Sequence, residues 1–257
     1  MSPRLSPAPP DDRDADAVWT IGLHAEGVRL GLLVVTALVS AAGLAAALAY
    51  HWLGHDKQLG LRLLLDLDGE GNLPTWWSSF LLLVAAALLG VIAGQHARRG
   101  GGDVRHWAAL AAIFLGLSID ETAQIHELVG KHVHRLLATR GTLRFAWVIP
   151  GALFVAVVGF TYLRFLGRLP PATRRRVAVA GAVYVGGALG LELLESAAVE
   201  RWGQGAAWAA LSTLQEIAEM VGVVLFIHAL LAHLASERHG LALRVTSASH
   251  PGGPSWA

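Results

Sequence analysis

The residues with most chemistry to offer are Asp120, Glu121, His126 and Glu127, in the stretch Asp120-Glu121-Thr122-Ala123-Gln124-Ile125-His126-Glu127. They follow an apolar run from Ala108 to Leu117. Two later apolar stretches carry Glu192 with Glu195 and Glu216 with Glu219. A spacing of three puts each pair on one helix face. Carboxylates from facing helices, joined by an imidazole, suit a divalent ion such as Zn, Mn or Fe. The expected ligands are Asp120, Glu192, Glu195, Glu216, Glu219 and His126. Glu121 and Glu127 are then the candidate catalytic bases for a metal-bound water. The same acids can instead carry protons or cations in a transporter. The plainest alternative is a structural role, with protonated acids hydrogen-bonded between helices.

The surroundings of these residues set the fold class. The chain has 257 residues, 54% hydrophobic and 15% charged, with mean hydropathy +0.50. Soluble domains carry about 25% charged residues, and several apolar runs here reach the roughly 18 residues that cross a bilayer. The expectation is an all-α polytopic integral membrane protein, a six-helix bundle in the plasma membrane. A net charge of +1 predicts no nucleic-acid partner. The lack of cysteine removes thiolate ligands and disulfides.

Six spans are expected at about 28–52, 77–95, 106–127, 145–166, 177–199 and 207–233. They form a transmembrane domain over 28–236, between cytoplasmic tails at 1–27 and 237–257. The first tail is rich in Pro and Asp and has no signal-peptide core. Alternate loops and both tails hold 13 Lys and Arg residues, against 7 on the other side. The positive-inside rule places both termini in the cytoplasm. Six of the nine tryptophans then fall at the outer interface.

The acids of three spans come out at one depth. At 1.5 Å per helical residue, Asp120, Glu192 and Glu219 lie about 21 to 24 Å from the cytoplasmic edge, and Glu121, Glu195 and Glu216 about 24 to 28 Å. No Lys or Arg shares that layer, so protons, cations or water must compensate the charge. On a straight helix His126 points roughly 120° away from Asp120. Only a kink or a partner on that side brings it into the site.

Asp66, Asp68 and Glu70 alternate ahead of Gly71 like the first half of a calcium loop, although position twelve is Trp77 rather than an acid. They form the candidate calcium site, against a plain polar turn before Pro74 starts the second span. His51 and His55 are the nearest further imidazoles and read as interfacial residues beside Trp52. Ala182, Gly186 and Gly190 form a small-residue face for close helix packing.

Three stretches, DGEGNLPTWWSS from Asp68, LSIDETAQIHE from Leu117 and LQEIAEMVG from Leu214, resemble a family of uncharacterised bacterial multi-pass membrane proteins. The resemblance implies the fold and supplies no activity.

Overall fold

The computed structural model describes residues 24–53, 60–69 and 71–236. The expected N-terminal tail up to residue 23, His55, Glu70 and the tail from 237 lie outside the described residues, as does the His51 side chain. The described chain is helical, in the order α1 (Ala25–Leu53), a short α2 (Leu61–Leu65), α3 (Leu73–Arg98), α4 (Val104–Ala123), α5 (Ile125–Leu137), a 3-10 turn (Gly141–Leu143), α6 (Val148–Arg168), α7 (Pro171–Val185), a π-helical segment (Gly186–Leu191), α8 (Glu192–Trp202) and α9 (Ala206–Ser236).

Five helices are long and apolar enough to cross a membrane, with α7, the π segment and α8 counted as one. The bent pair α4 and α5 makes a sixth if it is one span. The final helix α9 is the axis of the bundle. It packs against α1, α3, α7, the π segment and α8. Its residues Met220, Val223, Val224, Ile227 and Leu230 join Leu81, Leu82, Leu89 and Ile92 of α3 in a fully buried core. By contrast, α6 is the least buried of the candidate spans.

Local sequence explains several boundaries. Asn72 caps α3, its side-chain oxygen accepting from the Thr75 N–H at 3.1 Å, and Pro74 occupies the first turn, where no N–H is needed. The helix stops where Gly100 takes φ +67°. Between α3 and α4, Ser79, Ser118 and Thr122 exchange hydroxyl hydrogen bonds of 2.8–3.3 Å. At the far end Tyr162 of α6 donates to the His106 carbonyl at 2.9 Å, and the His106 ring stacks on Phe165 at 5.0 Å.

Two departures from straight helices matter for the site. The span expected over 106–127 breaks at Gln124, a non-glycine residue with φ +58°, and α4 and α5 meet at 75°. The span expected over 177–199 passes through the π segment, which adds a residue to one turn and turns the following faces. The expected small-residue face is not the one used. A Cβ at Gly186 or Gly190 meets nothing within 4 Å. One at Gly187 meets Ala218 and Glu219 at 3.1 Å, and one at Gly222 meets the Tyr184 backbone nitrogen at 2.7 Å. Gly187 and Gly222 are the positions of close approach between this span and α9.

Candidate functional site

The break at Gln124 is organised by one residue. The Asp120 carbonyl accepts the Gln124 N–H at 2.8 Å, closing α4 with a left-handed cap. The Asp120 carboxylate then accepts the His126 backbone N–H at 2.8 Å, in the first turn of α5, and faces the His126 Nδ1 at 3.0 Å. An anion at a helix N-terminus also meets the positive end of the helix dipole. The bend supplies what a straight helix lacks, and His126 joins Asp120.

Around this pair the bundle opens into one cavity of about 690 Å³. All seven carboxylates expected from the sequence line it: Asp120, Glu121, Glu127, Glu192, Glu195, Glu216 and Glu219. His126 lines it as well. The cavity lies at the end of the bundle where α3, α6 and α9 begin. Further along the same helices lies the buried apolar core of α3 and α9.

Most of these acids have a donor. Trp147 Nε1 donates to Glu192 at 3.2 Å, and the same indole meets the His126 ring edge-on at 5.2 Å. Trp208 Nε1 donates to Glu195 at 2.7 Å. Both glutamates are buried, at 7% and 5% exposure. Gln215 Nε2 approaches Glu219 Oε1 at 3.4 Å. Glu121, Glu216 and Glu219 sit close enough to feel one another's charge. Glu127 lies towards the mouth, where Lys131 donates to it at 2.6 Å. Arg135 and Arg144 complete a basic rim.

The expected metal ligands all line the cavity, but not as a ready-made cluster. Among the described residues, no three His, Asp and Glu side chains come together closely enough to hold an ion. Two indoles donate to Glu192 and Glu195, and Asp120 faces the His126 Nδ1. The described part of the expected calcium loop makes contacts of its own. Asn72 Nδ2 donates to the carbonyls of Asp66 and Gly69, closing the loop onto the α3 cap. Asp68 turns towards α9, where Ser212 donates to it at 2.6 Å, and it becomes an eighth acid in the cavity wall. Asp66 is absent from that wall.

Several partners were not legible beforehand. Trp147 and Trp208 fit the expected interfacial belt, but their indole N–H groups face the acids. Gln215 sits one residue before Glu216, and that position was its only signal. It is 9% exposed and lines the cavity, and its side-chain carbonyl has no hydrogen-bond partner among the described residues.

Fold and site together define an all-helical protein, with helices of membrane-crossing length around an acidic cavity. The chain belongs to the family described as a domain of unknown function (DUF8692), which matches residues 32–234. The uncharacterised family expected from the three stretches is in keeping with this. No curated protein and no solved structure matches the chain.

Proposed function

We propose that this is a plasma-membrane protein whose acidic cavity faces outward and binds a cation in exchange for protons, as the working site of a proton- or cation-coupled carrier. The observation that carries this reading is one cavity collecting eight carboxylates from the loop before α3 and from α4, α5, α8 and α9. Lys131, Arg135 and Arg144, the basic residues of its wall, all lie on α5 or the following loop. Buried acids without matching cations must take up protons or positive ligands.

Two further features favour a carrier over a metal enzyme. One of the acid-bearing spans is broken beside the cavity, at Gln124, and a second passes through a π-helical segment there without a break. Broken helices that line a cavity are a recurring device of secondary transporters. The cavity lies where α3, α6 and α9 begin, and the apolar core of α3 and α9 occupies the same helices further along, the form expected of one state of an alternating-access cycle. The excess of Lys and Arg in the tails and the loops after α3 and α6 puts those segments in the cytoplasm and the cavity outside.

The test uses the full chain in liposomes holding a pH-sensitive dye. Gradients of inorganic cations and of small alkylammonium ions are applied in turn. The expected result is cation-driven proton movement that disappears in Glu219→Gln. Proton movement absent with every cation, together with near-stoichiometric Zn, Mn or Fe in purified protein, would sink this reading and restore a metal-dependent enzyme.

A further inference from the structure

A second, apolar hollow lies beside the acidic cavity on the same two helices. Helix α4 meets α6 at one end, and α5 meets the residue before α6 at the other. At one end the His106 ring stacks on Phe165, and Tyr162 donates to the His106 carbonyl. At the other, Gly130 of α5 lies against Trp147, with room for a Cβ only 3.0 Å from the Trp147 Cβ. Between these two closures lies a second hollow of about 420 Å³, lined by Ala109, Ile113, Val157, Val158 and Thr161, with Arg105, His106 and Tyr162 at its lower end.

The two hollows share helix faces. On α4, Ile113 of the lower hollow is followed four residues later by Leu117 of the acidic cavity. On α6, Val158 is preceded four residues earlier by Phe154 of that cavity. Residues four apart stack on one helix face, so the apolar wall is continuous. From Leu117 to Arg105 it runs about 18 Å at 1.5 Å per residue.

The polar end has a preference of its own. Its wall is rich in acceptors, and the buried Gln215 carbonyl among them has no donor. The Gln215 amide nitrogen faces Glu219, which fixes that carbonyl as the unpartnered atom. An ammonium group brings three donors and a positive charge. A cavity of about 690 Å³ is the size of a small-molecule site rather than of a bare ion.

We propose that the cavity takes the amine head of a membrane amphiphile whose hydrocarbon chain lies in the groove between α4 and α6. This rests on the reading of the cavity as a cation site and adds the class of cation and its sideways route of entry from the bilayer.

The probe is dodecylamine with a diazirine at the end of its chain, added to the full-length protein in phosphatidylcholine nanodiscs. Labelled positions are mapped by peptide mass spectrometry. Labelling is expected at Ile113, Val157 and Val158, competed by dodecylamine and not by dodecanol. It should fall about tenfold or more in Glu216→Gln/Glu219→Gln, the effect of losing charge-assisted hydrogen bonds. Val158→Trp fills the groove and should abolish chain labelling while butylamine still drives proton release. Labelling of the outward Phe160 and Leu163 as strong as that of the groove would overturn the proposal. So would ready disulfide dimerisation of Ile113→Cys in a chain with no other cysteine, because a second copy would then fill the groove. Proton release by butylamine without groove labelling removes the amphiphile and leaves the cation site. Loss of both removes the cation site as well.

Discussion

Asp120 holds His126 by two atoms, one carboxylate oxygen on the backbone N–H at 2.8 Å and the other facing the ring Nδ1 at 3.0 Å. The pair spans the 75° bend between α4 and α5. One side chain therefore ends one helix, starts the next and aims an imidazole into the cavity. Asp120→Ala removes these contacts and leaves the α5 N-terminus uncapped. It is expected to destabilise the protein by about 2 kcal/mol, the scale of hydrogen bonds to a charged group. Hydrogen exchange should rise across residues 125–130 and stay unchanged in α9. Equal acceleration in both segments would mean that the pair does not act locally.

The crowded acids predict a gain of stability on removal. Glu216 and Glu219 share a helix face and feel one another's charge and that of Glu121. A neutral amide of the same shape relieves repulsion and desolvation. Glu216→Gln is expected to raise the thermal midpoint in detergent by a few degrees, roughly 1 kcal/mol of stabilisation, while cation-linked proton movement is lost. A lower midpoint would show that the carboxylate holds the bundle together.

Two glycines should separate packing from propensity. A Cβ at Gly222 falls 2.7 Å from the Tyr184 nitrogen, whereas one at Gly190 meets nothing within 4 Å. Gly222→Ala should cost about 1–3 kcal/mol through overpacking. Gly190→Ala should be neutral or gain up to about 1 kcal/mol from lower backbone entropy in the unfolded chain. Thermal unfolding of both variants measures the difference, and equal effects would contradict the approach of α9 to Tyr184.

Outside the spans, Arg168 pairs with Asp103 at the start of α4, and His106 lies 3.6 Å away. The Arg168 hydrogen bond is the main cause holding the Asp103 carboxyl below its usual range, with the Arg168 and His106 charges adding to it. A lowered acid contributes stability above its unfolded value near 4, lost as pH falls through the lower folded value. Asp103→Asn should therefore lower stability at pH 7 by less than about 1 kcal/mol, as expected for a solvent-exposed pair. The deficit should close below about pH 4. An unchanged deficit at pH 3 would assign the effect to helix capping rather than charge.

What the sequence determined by itself follows from two fixed repeats. Apolar run lengths and a 1.5 Å rise set the long helices and brought the acids to one level. A spacing of three put each glutamate pair on one face. Those rules held because they are local. Tertiary structure decided the rest. Nothing around Gln124 marks a left-handed residue, since the signal is a carboxylate four residues earlier that takes the next helix's N–H. That bend moved His126 from the far side of the helix onto Asp120. Close approach fell at Gly187 rather than Gly186 and Gly190, because the position of α9, and not the four-residue spacing, decides which glycine meets a neighbour. Asp68, read as half of a calcium loop, became a cavity acid only when Ser212, 144 residues further on, came to meet it. The same long-range approach brought Trp147 and Trp208 to Glu192 and Glu195 as indole donors. Partners chosen across helices leave no mark in local spacing, because hydrogen-bond complementarity between distant segments is satisfied only in the packed bundle.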